Sequence, residues 1–143
     1  MTKKFNSVLI IGMGLIGSSI SRALIENHVA NNVYGLDSDS KVIKKCQNLN
    51  ILIQGETELK NFDFQFDLVI ICTPLSTYKQ IFQSLSEFVS QPTLVTDVGS
   101  TKMSTINDFK NIKENRNMTF IPSHPIAGLE KSGPEHGFSK LFD

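Results

Sequence analysis

The sequence predicts an α/β fold: a doubly wound, mainly parallel sheet with helices on both faces. Three observations predict it. Short apolar runs alternate with segments of helical periodicity along the whole chain. A run of three glycines, Gly12-Met13-Gly14-Leu15-Ile16-Gly17, sits where the first strand turns into the first helix. An aspartate, Asp37, closes the second strand 37 − 17 = 20 residues after the last of those glycines. Strands joined by helices of this length pair in parallel through right-handed crossovers. The glycine turn and the acidic residue together specify the Rossmann type, in which a dinucleotide lies across the strand ends.

The elements follow in order. Ser7 to Ile11 is an unbroken apolar run, as in a strand buried on both faces. Ile16, Ile20, Ala23, Leu24 and Asn27 then recur at helical spacing, and Asn27-His28 ends that helix. Asn32 to Leu36 is the second strand. Asp39 to Leu49 is the second helix, closed by a left-handed turn at Asn50. Ile51 to Ile53 reads as a short third strand and Asp67 to Cys72 as a fourth. Pro74 breaks the chain, and Tyr78, Ile81, Phe82, Leu85 and Val89 form a helical stripe. Thr93 to Thr96 is the fifth strand, Met103, Ile106 and Phe109 mark another helix, and Met118 to Ile121 is the sixth strand. The alternating "NFDFQF" of Asn61 to Phe66 reads as packing beneath a loop.

Composition excludes several classes. The 143 residues suit one domain with a real core. Lys plus Arg equals Asp plus Glu at 14 each, so no net field draws nucleic acid or an anionic membrane. The N-terminal lysines and apolar run resemble a signal peptide. However, the run is too short to cross a bilayer, which takes about 20 residues, and glycines interrupt it. Cys46 and Cys72 share no metal or redox spacing, as expected of reduced thiols in a cytoplasmic chain.

The glycine turn points to nucleotide chemistry. Gly12 permits the tight turn, Gly14 lets backbone approach a pyrophosphate, and Gly17 lets helix pack on strand; Met13, Leu15 and Ile16 complete the loop. The helix N-terminus offers free N–H groups and a positive dipole end. Asp37 can accept bonds from ribose hydroxyls and would repel a 2′-phosphate, which favours NAD over NADP. It could instead cap a helix starting near Ser38, and Asp39 is a weaker rival for the ribose. Ligands of such sheets lie outside the carboxyl ends of strands, which places Cys72, Thr73 and Pro74 beside the cofactor. Cys72 itself reads as a small buried hydrophobe. "TDVGSTK" brings Gly99 and Ser100 to the same rim, where Ser100 could also cap the next helix and Lys102 could simply be solvated. The sixth strand delivers "FIPSHPIAGLEKSG", with His124 between Pro122 and Pro125. Those prolines fix the backbone on both sides and make the loop stiff as well as polar. His28 and His136 have no such setting and read as surface residues.

Together "GMGLIGSS", "YGLD", "ICTP", "DVGSTK" and "SHPIAGLEKSG" resemble the prephenate/arogenate (cyclohexadienyl) dehydrogenases of tyrosine biosynthesis, in order and over nearly the whole chain. The resemblance implies NAD-dependent oxidative decarboxylation of prephenate or arogenate, with Ser100 and His124 on the family's active-site serine and histidine. Leu129 stands where the family often has threonine. Family members continue well past the position of Asp143. They add further strands and a helical domain that forms the homodimer, closes over substrate and supplies an arginine for a substrate carboxylate. On that resemblance, residues 1–143 are an NAD-binding domain incomplete at its C-terminus. They would bind NAD weakly at best and turn over no substrate unaided. A nucleotide-binding module without turnover is the alternative from another class. A different β-hydroxyacid-type dehydrogenase is disfavoured by the HPIAG segment.

Overall fold

The computed structural model describes residues 4–112 and 117–143. Among these residues, six parallel strands form one sheet in the order β3-β2-β1-β4-β5-β6. β1 (Phe5–Ile11) runs into α1 (Leu15–Glu26), β2 (Ala30–Leu36) and α2 (Ser40–Asn48). β3 (Gln54–Glu56), β4 (Leu68–Ile71) and α3 (Tyr78–Phe88) follow, then β5 (Thr93–Asp97), α4 (Lys102–Lys110) and β6 (Met118–Ile121). The strand order reverses between β1 and β4. That is the switch point at which α/β sheets of this order place their ligands.

Val8, Leu9, Ile10, Val69 and Ile71 are wholly buried, because helices cover both faces of the central strands. On one face, Val8, Ile10, Val33 and Ile70 pack with Ile43 and Cys46 of α2. On the other, Leu9, Val69, Ile71 and Val95 pack with Tyr78, Phe82 and Leu85 of α3. Phe82 meets Phe109 of α4 and Phe120 of β6 edge-on at centroid distances of 5.4 and 5.1 Å, which anchors the last strand. The expected aromatic packing of 61–66 is present. Phe62, Phe64 and Phe66 interlock with one another and with Tyr34.

One strand is displaced from its expected place. Ile51 to Ile53 is not the third strand; β3 begins at Gln54. Ile51 and Leu52 are buried, but they serve as side chains under α1 and α2, and Ser21 Oγ donates to the Ile51 carbonyl. Gly55 pairs with Gly35 across β2 and β3, and neither has room for a Cβ: each would strike Leu52 or Ile43. The apolar run therefore marks the core approach, and the two glycines mark the strand pairing. Asn50 takes the expected left-handed conformation, and so does His28 at the end of α1. α1 also differs from its apolar stripe. Its buried residues are Gly17, Ser18, Ser19 and Ser21. Gly17 meets Ile10 of β1 and Gly12 of the turn that follows it, whereas Ser18 and Ser19 lie against Gly137 and Phe138. Their hydroxyls are satisfied within the fold; Ser18 and Ser19 Oγ both donate to the Leu15 carbonyl. Among the described residues, no helix is long and apolar enough to cross a membrane.

Candidate active site

The carboxyl ends of β1, β2 and β4 meet at a cleft of about 1070 Å³, lined among others by Gly12, Gly14, Asp37, Cys72, Thr73 and Pro74. Gly12 turns the chain out of β1 with φ +92°, and its N–H donates to the Leu36 carbonyl at 2.8 Å. A Cβ there would lie 2.9 Å from the Cys72 carbonyl group, so glycine is required by both conformation and space. A Cβ on Gly17 would run into the Gly12 carbonyl oxygen, the close helix–strand contact expected of the third glycine. Gly14 is different. It is exposed, and a Cβ there would meet nothing within 4 Å, so its bare backbone faces open space at the start of α1. α1 has no side-chain cap and no acidic residue in its first turn, which leaves its positive end free for an anion. Met13 is wholly buried, whereas Leu15 and Ile16 are half-buried.

Asp37 is built into this turn. Its Oδ2 accepts the Met13 N–H at 2.9 Å and its Oδ1 accepts the Asp39 N–H at 3.0 Å. The cap of α2 is Asp39, whose Oδ1 accepts the Lys41 N–H at 2.9 Å; the helix starts at Ser40, not near Ser38. Asp37 is thus freed from capping, and each of its oxygens keeps a lone pair for a ligand in the cleft. The residues present fit a dinucleotide: a cradle that side chains would fill, an uncapped helix end and a carboxylate beside both.

Cys72 lies at the end of β4. Burial, reinforced by the negative charge of Asp97, pushes its thiol well above the ordinary range, so it stays protonated and inert at neutral pH. Beside it the Thr77 hydroxyl lies 2.8 Å from that of Thr73 and 2.7 Å from the Pro74 carbonyl, which holds the turn into α3. The cleft continues between Thr57–Lys60 and α3, with Leu59, Ile81 and Leu85 as apolar lining. The motif at 12–17 did not point to these residues, because they come from a loop and a helix that only the fold brings together.

The second region is the rim of β5 and β6. Gly99 is buried, and a Cβ there would meet Leu75, Asp97 and the Tyr78 hydroxyl. Ser100 and His124 are both exposed and neither lines the cleft. Ser100 is not a cap: Thr101 holds that position before α4. Lys102 is not simply solvated. Its ammonium lies 2.9 and 2.7 Å from the two oxygens of Asp97, which is wholly buried, and also donates to the Ser123 carbonyl. Sequence reasoning missed Asp97 and Ser123; the available signal was an acid and a base five residues apart around Gly99. Burial also raises the Tyr78 phenol well above its ordinary range, with Asp97 adding to the effect. His28 and His136 lie on the surface, as expected.

The chain matches the family described as prephenate dehydrogenase, nucleotide-binding domain, over residues 20–143. Cyclohexadienyl dehydrogenase of Zymomonas mobilis is 32% identical over 139 residues, covering 96% of this chain and 46% of that protein. Prephenate dehydrogenase of Lactococcus lactis is 30% identical over 137 residues, covering 95% and 38%. The chain thus spans less than half the length of these curated relatives. A crystal structure of prephenate dehydrogenase from A. aeolicus, in complex with hydroxyphenyl propionate and NAD+, superposes with a TM-score of 0.90 at 35% identity. That match covers 100% of this chain and 49% of the other. It therefore includes the glycine turn, which lies before the span that the family model matches.

Proposed function

The chain belongs to the prephenate dehydrogenase nucleotide-binding domain family, and from that premise we propose that residues 1–143 are the NAD-binding domain of a prephenate or arogenate dehydrogenase. The observation that carries the reading is the Met13–Asp37 hydrogen bond, which joins the phosphate turn and the ribose carboxylate in one cleft. In this reading Leu59 and Ile81 would hold the adenosine and Asp37 its ribose. Gly12, Gly14 and the start of α1 would hold its pyrophosphate. The Asp37 charge repels a 2′-phosphate, which selects NAD over NADP. Cys72, Thr73 and Pro74 would form the wall for the nicotinamide, with Gly99 buried behind the rim beyond it. The NAD bound in the A. aeolicus enzyme supports this assignment.

The chemistry assigned to the rim is the oxidation of a ring alcohol followed by loss of carbon dioxide. Bound NAD supplies the acceptor for the hydride of the hydroxyl-bearing carbon. His124 takes the hydroxyl proton as the carbonyl forms, and Ser100 orients that hydroxyl. Loss of carbon dioxide from the opposite ring carbon then yields an aromatic ring. A neutral imidazole suits this task near neutral pH, and general-base help of this kind contributes roughly 10²–10⁴-fold. Exposure of His124 on the rim leaves it accessible to a substrate.

The test is to join residues 1–143 to the C-terminal part of the Zymomonas mobilis relative and follow NADH absorbance with prephenate and with arogenate. Turnover is expected with at least one substrate. His124→Asn should lower kcat by roughly 10²-fold or more while NAD affinity holds. An unchanged rate would remove His124 from the chemistry. A second reading, nucleotide binding without turnover, draws on the position of Ser100 and His124 outside the cleft. NAD binding without turnover in the joined protein would favour it.

A further inference from the structure

Asp97 closes β5 and is wholly buried beneath the rim that carries Ser100 and His124. Its Oδ2 accepts the Gly99 N–H at 3.0 Å, and its Oδ1 accepts the Ser123 N–H at 3.0 Å. The Lys102 ammonium bridges both oxygens and reaches on to the Ser123 carbonyl. The Ser123 hydroxyl donates to the Asp97 carbonyl, and the Thr96 hydroxyl donates to the Ile121 carbonyl at 2.7 Å. A buried ion pair is a poor source of stability, since apolar side chains of the same volume often serve as well. What a carboxylate adds at this position is direction. One oxygen fixes the neighbour of Ser100, and the other fixes the neighbour of His124.

The side chains of Ser100 and His124 are exposed, so packing does little to place them. Gly99 has no room for a Cβ: the position it would take lies 2.6 Å from Leu75 Cδ2, 2.9 Å from Asp97 Oδ2 and 3.0 Å from the Tyr78 hydroxyl. Pro122 and Pro125 stiffen the second loop but do not set its distance from the first. Catalytic groups must be held within about 0.5 Å of productive geometry. We propose that Asp97 is a positioning residue: by holding Gly99 and Ser123 on its two oxygens, it sets the separation of Ser100 and His124. The inference rests on the reading of that pair as catalytic.

The experiment uses the whole 143-residue chain. Asp97→Asn keeps the shape but has one acceptor oxygen, and its amide nitrogen must face a donor. Amide hydrogen exchange at Gly99 or Ser123 should speed up by about tenfold or more, while exchange in β1 and β4 stays put. The His124 ring resonances should shift or broaden, and NAD affinity should hold within about threefold because Asp37 and the glycine turn are untouched. Should the single variant not fold, Asp97→Asn with Lys102→Met removes both charges together and strands neither. In the joined enzyme of the preceding section, the variant should lose roughly 10²-fold in kcat with the KM for NAD unchanged. Unchanged exchange at both amides and an unchanged His124 signal would overturn the proposal. So would a loss spread evenly over the whole sheet, or failure of both variants to fold, since Asp97 would then be structural only. Absence of turnover in the unmodified joined enzyme would instead defeat the catalytic reading, and the exchange data would still report whether the tie exists.

Discussion

Asp37→Asn separates the two tasks assigned to that carboxylate. The native group accepts backbone N–H bonds from Met13 at 2.9 Å and from Asp39 at 3.0 Å. Hydrogen bonds to a charged group contribute about 1.5–3 kcal/mol each. Asparagine retains one acceptor without charge, so one of these two bonds is lost and the other weakened. A ribose hydroxyl on the same group loses its charged acceptor as well. NAD affinity should therefore fall by roughly 10- to 100-fold, or about 1.4–2.8 kcal/mol. NADP affinity should change much less. The substitution removes a repulsion without supplying a cation for the 2′-phosphate. Adding one in Asp37→Ser/Ser38→Arg, at an exposed residue that lines the cleft, should narrow or reverse the preference. Isothermal titration with each dinucleotide reads both numbers. Equal binding of NAD and NADP by the unmodified chain, or an Asp37→Asn variant within twofold of it, would mean that Asp37 does not hold the ribose.

The other glycine and thiol expectations are as direct. Gly17→Ala pushes a methyl into the Gly12 carbonyl oxygen, so it should cost about 1–3 kcal/mol of stability and abolish NAD binding. Gly14→Ala meets nothing in the fold; its melting temperature should hold while NAD affinity drops, which a thermal melt and a titration together can check. Burial, with Asp37 adding to it, raises the Cys46 thiol from 9.0 to about 11. The folded chain thus holds a proton there that the unfolded chain releases, and stability should decline as pH rises from about 9 to about 11. Urea midpoints across that range should fall less steeply for Cys46→Ala; an equal slope would remove Cys46 from the effect.

Much of this was legible because local rules and the fold agree. The runs in β1 and β4 are apolar throughout because both faces are covered, and the glycine turn is specified by its own sterics. β3 was misplaced by an apolar run, Ile51 to Ile53, whose first two members point into the core ahead of the strand. A three-residue strand with glycine at its centre carries no period-2 signal. The Asp97–Lys102–Ser123 cluster was illegible for another reason. Ser123 lies 26 residues from Asp97, and only the β5–β6 pairing brings them together. An aspartate in a loop motif looks like a surface residue until the partner strand is in place. The apolar lining of the cleft at Leu59 and Ile81 is likewise assembled from distant segments.

A structure of the 143-residue chain with NAD bound would test whether the cleft at the glycine turn is the dinucleotide site. The expected result is adenosine between Leu59 and Ile81, ribose hydroxyls on Asp37, pyrophosphate against Gly12 and Gly14, and nicotinamide directed along Thr73 towards Gly99. NAD bound elsewhere on the chain, or an empty cleft at NAD concentrations of several millimolar, well above the roughly 1 μM–1 mM range usual for KM values, would contradict it.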